Sequence, residues 1–125
     1  MEGLSTTNLL QIVVGLTLLS VWLLRTRWAT PYRGGGAQTL KEEFAVYGLP
    51  DFAFYLVGAL KIGAGLVLLA GVWMADLPVR EAAGLVSVLM IGAIAMHFKV
   101  GDPLKKSLPA ALMLVLSALI VMDLS

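Results

Sequence analysis

The chain has no cysteine, one histidine and few charges: Asp, Glu, Lys and Arg make up 14% of its 125 residues, against roughly 25% in an average soluble domain. Without cysteine there is no disulfide, thiolate-bound metal, iron–sulfur cluster or thioether-linked haem. Because His97 is the lone histidine, a haem with two histidine ligands or a histidine metal cluster would have to borrow ligands from another subunit, and no metal site is expected. Net charge is only +1, and the basic residues sit on connecting segments rather than along one groove that follows phosphates, which argues against nucleic acid as a partner. Gly34, Gly35 and Gly36 lack the lysine and hydroxyl that complete a phosphate-binding loop. Glu42 and Glu43 are adjacent and point to different faces of a helix, so they do not read as a two-carboxylate acid–base pair. No nucleophile–base pair or cofactor motif stands out, no catalytic residue is assigned, and the reading leans away from an enzyme.

What the chain has is hydrocarbon, with 59% of its residues hydrophobic. Four apolar runs, Thr7 to Leu24, Phe52 to Ala75, Val79 to Phe98 and Leu104 to Asp123, match the ~20 residues that cross a bilayer as helix, whereas membrane β-strands alternate over ~10. The expectation is an all-α integral membrane four-helix bundle forming one domain. Met1 to Thr7 has Glu2 and no basic residue, unlike a secretory signal, so the first run is read as a retained span. Trp22, Arg25, Arg27 and Trp28 form an aromatic and basic border at its far end. Pro31 and the glycine triplet interrupt the connection that follows. Thr39 with Glu42 three residues later then reads as a capping box, and Leu40, Phe44 and Tyr47 share a helical face, predicting a short interfacial helix over about 40–47. Asp51 is a candidate N-cap for the second span, and Asp102 with Pro103 for the fourth; Pro109 should kink or restart the last helix.

Four spans put both long connections on one side. These hold Arg25, Arg27, Arg33, Lys41, Lys99, Lys105 and Lys106, against Arg80 alone on the other side. The positive-inside rule makes the long loops cytoplasmic and both termini external, in a multi-pass protein of the cell membrane. Small residues (Ala59, Gly63, Ala83, Ser87) predict that spans 2 and 3 form the tight pair, and exposed faces of this kind permit a homodimer.

Lys61 lies mid-run in span 2. A lysine at the bilayer centre costs roughly 2.5–3.5 kcal/mol on insertion scales, so it should face the bundle interior, water or a ligand. Thr17, Ser87 and Ser117 fall near its depth when counted at ~1.5 Å per residue. Their convergence would build a ligand pocket, to which Tyr55 is added; a set of hydroxyls bonded to their own helices is the structural alternative. Glu81 suits the first turn of its helix, and Glu81 and His97 lie roughly 12 Å along the axis from Lys61 on the same rise, too far to be ready partners. Gln11 and Tyr55 complete the intramembrane polar set but make a poor proton relay. The leading expectation is an accessory protein holding a small apolar ligand, a quinone or lipid, or docking a partner membrane protein, with Lys61 as anchor. The alternatives are a quinone-reactive oxidoreductase subunit, with quinone as candidate cofactor, and a proton-coupled carrier.

Phe44 to Pro50 (FAVYGLP), Gly58 to Gly71 (GALKIGAGLVLLAG), Arg80 to Gly84 (REAAG), and Ala95, His97, Gly101 and Asp102 together resemble the DoxX-like family of small four-span membrane proteins, in its lysine-bearing branch. In many relatives an acidic residue matches Lys61. The resemblance implies a four-span architecture and association with membrane redox enzymes or other membrane proteins, rather than one activity.

Overall fold

The computed structural model describes residues 4–24 and 32–123. Five α-helices stand among them: α1 Thr6–Leu19, continued by a π-helical turn Ser20–Leu24; α2 Leu40–Val46; α3 Asp51–Ala70; α4 Val79–Lys99; and α5 Leu108–Val121, preceded by a 3-10 turn Leu104–Ser107. No strand occurs among the described residues. Four segments, Thr6–Leu24, α3, α4 and Leu104–Val121, are long and apolar enough to cross a membrane, and together they form a four-helix bundle. Arg25, Arg27, Trp28, Pro31 and Met1 to Gly3 lie outside the described residues.

Local chemistry sets most boundaries. Ser5 Oγ accepts the Asn8 N–H at 3.0 Å while Asn8 Oδ1 accepts the Ser5 N–H at 3.2 Å, satisfying two donors at the start of α1. Thr39 Oγ1 accepts the Glu42 N–H at the start of α2. Pro109 sits in the first turn of α5 and thereby restarts the helix after the 3-10 turn, where its missing N–H costs nothing. Three expectations change. α3 stops at Ala70, short of Ala75, because residues 71–78 fold into turns. Pro50, not Asp51, occupies the N-cap position of α3. Asp102 caps nothing, because its carboxylate is engaged by His97, Gly35 and Lys106.

The best-packed faces also differ from expectation. α1 lies closely against α3, where a Cβ on Gly15 would stand 2.9 Å from the Gly65 carbonyl oxygen, an approach only glycine permits. α4 and α5 form the other extensive pair. Spans 2 and 3 (α3 and α4) meet less, and Gly63, Gly84 and Gly92 each face open space. Small residues on these two helices leave hollows between them rather than a tight seam. The core beneath is closed, with Val14, Leu68, Ala83, Val86 and Ser117 fully buried. Outward positions carry Leu9, Leu16, Val88, Ile91, Leu112 and Val115, all exposed, as lipid-facing positions would be.

Candidate functional site

The site forms where the two long connections meet, at one end of the bundle. Gly101, at φ +74°, ends α4 in the left-handed conformation glycine tolerates. The Asp102 N–H then donates back to the His97 carbonyl at 3.0 Å, and this turn swings the Asp102 carboxylate onto His97, with Oδ2 2.8 Å from Nδ1. Gly35 N–H donates to Asp102 Oδ1 at 3.0 Å. Lys106 Nζ lies 3.6 Å from the same carboxylate and donates to the Gly35 carbonyl at 2.7 Å. Lys99 Nζ donates to the Tyr47 carbonyl at 2.9 Å. The connection carrying α2 is thus latched across the ends of α4 and α5. Burial alone would push the Asp102 carboxyl up, but the His97 contact, the Gly35 N–H and Lys106 outweigh it and hold the group below its ordinary value. Asp102 is therefore ionised, and accepts from the His97 Nδ1–H.

α2 inserts Leu40, Glu43 and Phe44 into the bundle. Glu43 accepts the Gly34 N–H and the Tyr47 hydroxyl. Burial, and then the neighbouring Glu43 charge, push the Tyr47 phenol far up, so it stays protonated and donates. The Tyr47 oxygen also stands 3.5 Å from each His97 ring nitrogen, a contact at the outer limit of hydrogen bonding. Phe44, Phe54 and Trp22 stack edge-on or tilted, at centroid separations of 5.3–6.0 Å. Trp22 comes from the π-helical turn, an irregularity often found at functional sites, and its ring lies where a Cβ on Gly58 would be, 2.7 Å away.

Lys61 reaches this space. Its nitrogen lies 5.5 Å from the Trp22 ring centroid, a cation–π contact. Among the described residues no hydrogen bond or ion pair holds it, and Glu43 is the acid whose field reaches it. Two connected hollows flank it. One, about 360 Å³, is walled chiefly by Leu40, Val57, Val88, Leu89 and Met96. It opens between α3 and α4, where Val88 is 64% exposed. The other, about 260 Å³, is more polar and is lined by Thr17, Trp22, Arg33 and Lys106 among others. Leu40, Glu43, Lys61, Ala93 and His97 line both.

The residues singled out in the sequence divide accordingly. Lys61 and His97 face the same space, despite their separation along the axis, because the cavity is elongated and the lysine long. Thr17 lines the polar hollow but its hydroxyl is bonded to the Val13 carbonyl at 2.7 Å. Ser87 and Ser117 line neither hollow: they bond each other at 2.9 Å, and their own helices at Ala83 and Leu114. The four polar groups of matching depth therefore do not converge. Tyr55 is exposed and stands 3.4 Å from Lys41 Nζ. Gln11 clasps the Leu68 carbonyl at 2.9 Å, and Glu81 is exposed at the start of α4. Glu43, Tyr47, Asp102, Arg33 and Lys106 were missed. Glu43 had a signal, since it lies three residues after Leu40 and four before Tyr47, on the face predicted to be buried. No group of residues suited to hold a metal ion occurs among those described.

Residues 34–120, from the latched glycines through Lys61, His97 and Asp102, match the DoxX-like family. The chain belongs to the DoxX-like family. Neither the curated proteins nor the solved structures include a match to it. The matched segment of this DoxX-like, multi-pass membrane protein holds the whole latch and both α3 and α4, while Thr17 and Trp22 on the first span precede it.

Proposed function

We propose that this DoxX-like protein is an accessory membrane protein that takes a small apolar ligand, a quinone or a lipid, from the bilayer into the bundle, with Lys61 as the polar anchor. The observation that carries this reading is the Lys61 ammonium, without ion pair or hydrogen bond among the described residues, facing an apolar cavity open between α3 and α4. Its volume, about 360 Å³, is within the ~300–1,000 Å³ of small-molecule sites. A polar head accepting a hydrogen bond from Lys61 would offset the cost of the buried charge, and the opening toward lipid suits a ligand that arrives laterally. The ligand-bearing end, by the excess of basic residues on the long loops, faces the cytoplasm.

A second reading, a quinone-reactive subunit working beside a redox partner, is supported by His97 and Asp102: a carboxylate-held imidazole lining the same cavity is a group able to exchange protons with a bound carbonyl. Mass spectrometry of molecules retained after gentle detergent extraction tests both. The wild-type protein should retain one apolar species with a polar head, which Lys61→Met should deplete at least about tenfold, one lost charge-assisted bond being worth that much, and which Gly92→Leu should also deplete, by filling the cavity. Equal retention by wild type and both variants would overturn the reading; a retained quinone would favour the second.

A further inference from the structure

The polar hollow carries more positive than negative charge. Arg33, Lys61 and Lys106 line it, with Glu43 as the acid that joins them. Asp102 lies behind this surface: its side chain is 5% exposed and lines neither hollow. Glu43 and Asp102 are both committed to the latch, through Gly34, Tyr47, Gly35 and His97. The cation left over is Lys61, half-buried and without hydrogen bond or ion pair among the described residues. An uncompensated cation in such surroundings is costly, and an anion placed there removes the cost. A neutral carbonyl compensates only part of it.

Shape adds the second constraint. The polar hollow joins the apolar one at Lys61, Glu43 and His97, so a molecule occupying both has a head on one side of Lys61 and a hydrocarbon tail on the other. The apolar limb, about 360 Å³, is at the small end of ligand sites, which suits one chain rather than two.

We propose that the ligand is a single-chain amphiphile with a carboxylate head, the head seated in the limb lined by Arg33, Lys61 and Lys106 and the chain leaving between α3 and α4. This rests on the cavity reading above and narrows it from quinone or lipid to an acyl acid. The test is equilibrium binding of palmitate, hexadecanol, hexadecyl phosphate and acetate to the protein in zwitterionic lipid nanodiscs. Palmitate should bind at least about tenfold more tightly than hexadecanol, the difference a charge-assisted contact makes, and acetate should not bind. Lys61→Met should bring palmitate down to the hexadecanol level, Lys61→Arg should keep the preference, and Gly92→Leu should weaken both long-chain ligands. Gly92 is suitable because a Cβ there meets no neighbour within 4 Å.

Equal affinity for palmitate and hexadecanol, with both sensitive to Gly92→Leu, would overturn the acid head and leave the cavity reading standing. Tighter binding of hexadecyl phosphate than of palmitate would replace carboxylate by phosphate and so overturn the proposal as stated. Binding of both chains insensitive to Gly92→Leu, or a palmitate preference that survives Lys61→Met, would place the ligand outside the cavity and overturn both readings.

Discussion

Polar side chains in the body of the bundle and those at the long-loop end are handled in opposite ways. In the body, Ser87 and Ser117 satisfy each other and their own helices, Gln11 spans from α1 to a carbonyl of α3, and the residues around them are closed, with Val14, Leu68 and Val86 fully buried. At the long-loop end the charges are numerous, the packing leaves two hollows, and one cation has no hydrogen-bonding partner among the described residues. The first region spends its polar groups on holding helices together. The second holds its acids in a latch and leaves a cation facing space. Intramembrane polarity by itself therefore does not mark a site; polarity beside unfilled volume does.

The sharpest way to break this contrast is to open the latch. Asp102 accepts from His97 and Gly35 and lies 3.6 Å from Lys106, so Asp102→Asn leaves Lys106 without its counter-charge and replaces the carboxylate that His97 and Gly35 share. Breaking a buried pair by removing one partner costs about 3 kcal/mol, a loss measurable as a lowered unfolding midpoint in detergent. The pH dependence has a definite sign. The folded-state pKa of Asp102 is below its ordinary 3.8, so its contribution is fully present above that value and is lost as pH falls through the lower, folded-state value. The wild-type protein should destabilise in that acid range, and Asp102→Asn should lack this component. An acid profile unchanged by the substitution would mean the latch contributes nothing.

Lys61→Met sharpens the comparison from the other side. If Lys61 were a structural residue like Ser117, its removal would destabilise the fold. A cation facing a cavity without a partner instead predicts that Met, similar in length and free of desolvation cost, raises the stability of the ligand-free protein by about 1–2 kcal/mol. Thermal unfolding of delipidated wild type and variant reads the sign directly, and a large loss on substitution would class Lys61 with the packing residues.

How much of this was legible beforehand follows from range. The spans, the restart at Pro109 and the cap at Thr39 depend on hydrophobic runs and on neighbours within four residues, and the sequence carries them openly. Lys61 was legible because hydrocarbon makes a lone charge conspicuous. Its surroundings were not: Gly35 meets Asp102 67 residues away, and Lys106 meets Gly35 71 residues away. Matching depth misled for Ser87 and Ser117, since depth fixes height along the axis but not the direction in which a side chain points. Reading Asp102 as a cap used the residues after it, whereas Gly101 before it and His97 five residues back decided its fate. Small residues on α3 and α4 misled for a related reason: they permit close approach without supplying a partner face, and here Gly63 and Gly92 border hollows.

The smallest effect belongs to the serine pair. Ser87 Oγ has the Ala83 carbonyl at 3.0 Å and Ser117 Oγ has the Leu114 carbonyl at 3.2 Å, besides their mutual bond at 2.9 Å. Removing one hydroxyl therefore leaves the other with a backbone acceptor and orphans nothing. Interhelical hydrogen bonds inside membranes average about 0.6 kcal/mol by double-mutant cycles. Ser87→Ala and Ser117→Ala should each cost about that, the double variant should cost less than the sum, and none of the three should change ligand retention. Loss of ligand on either single substitution would tie the closed body of the bundle to the cavity at its end and dissolve the distinction between the two regions.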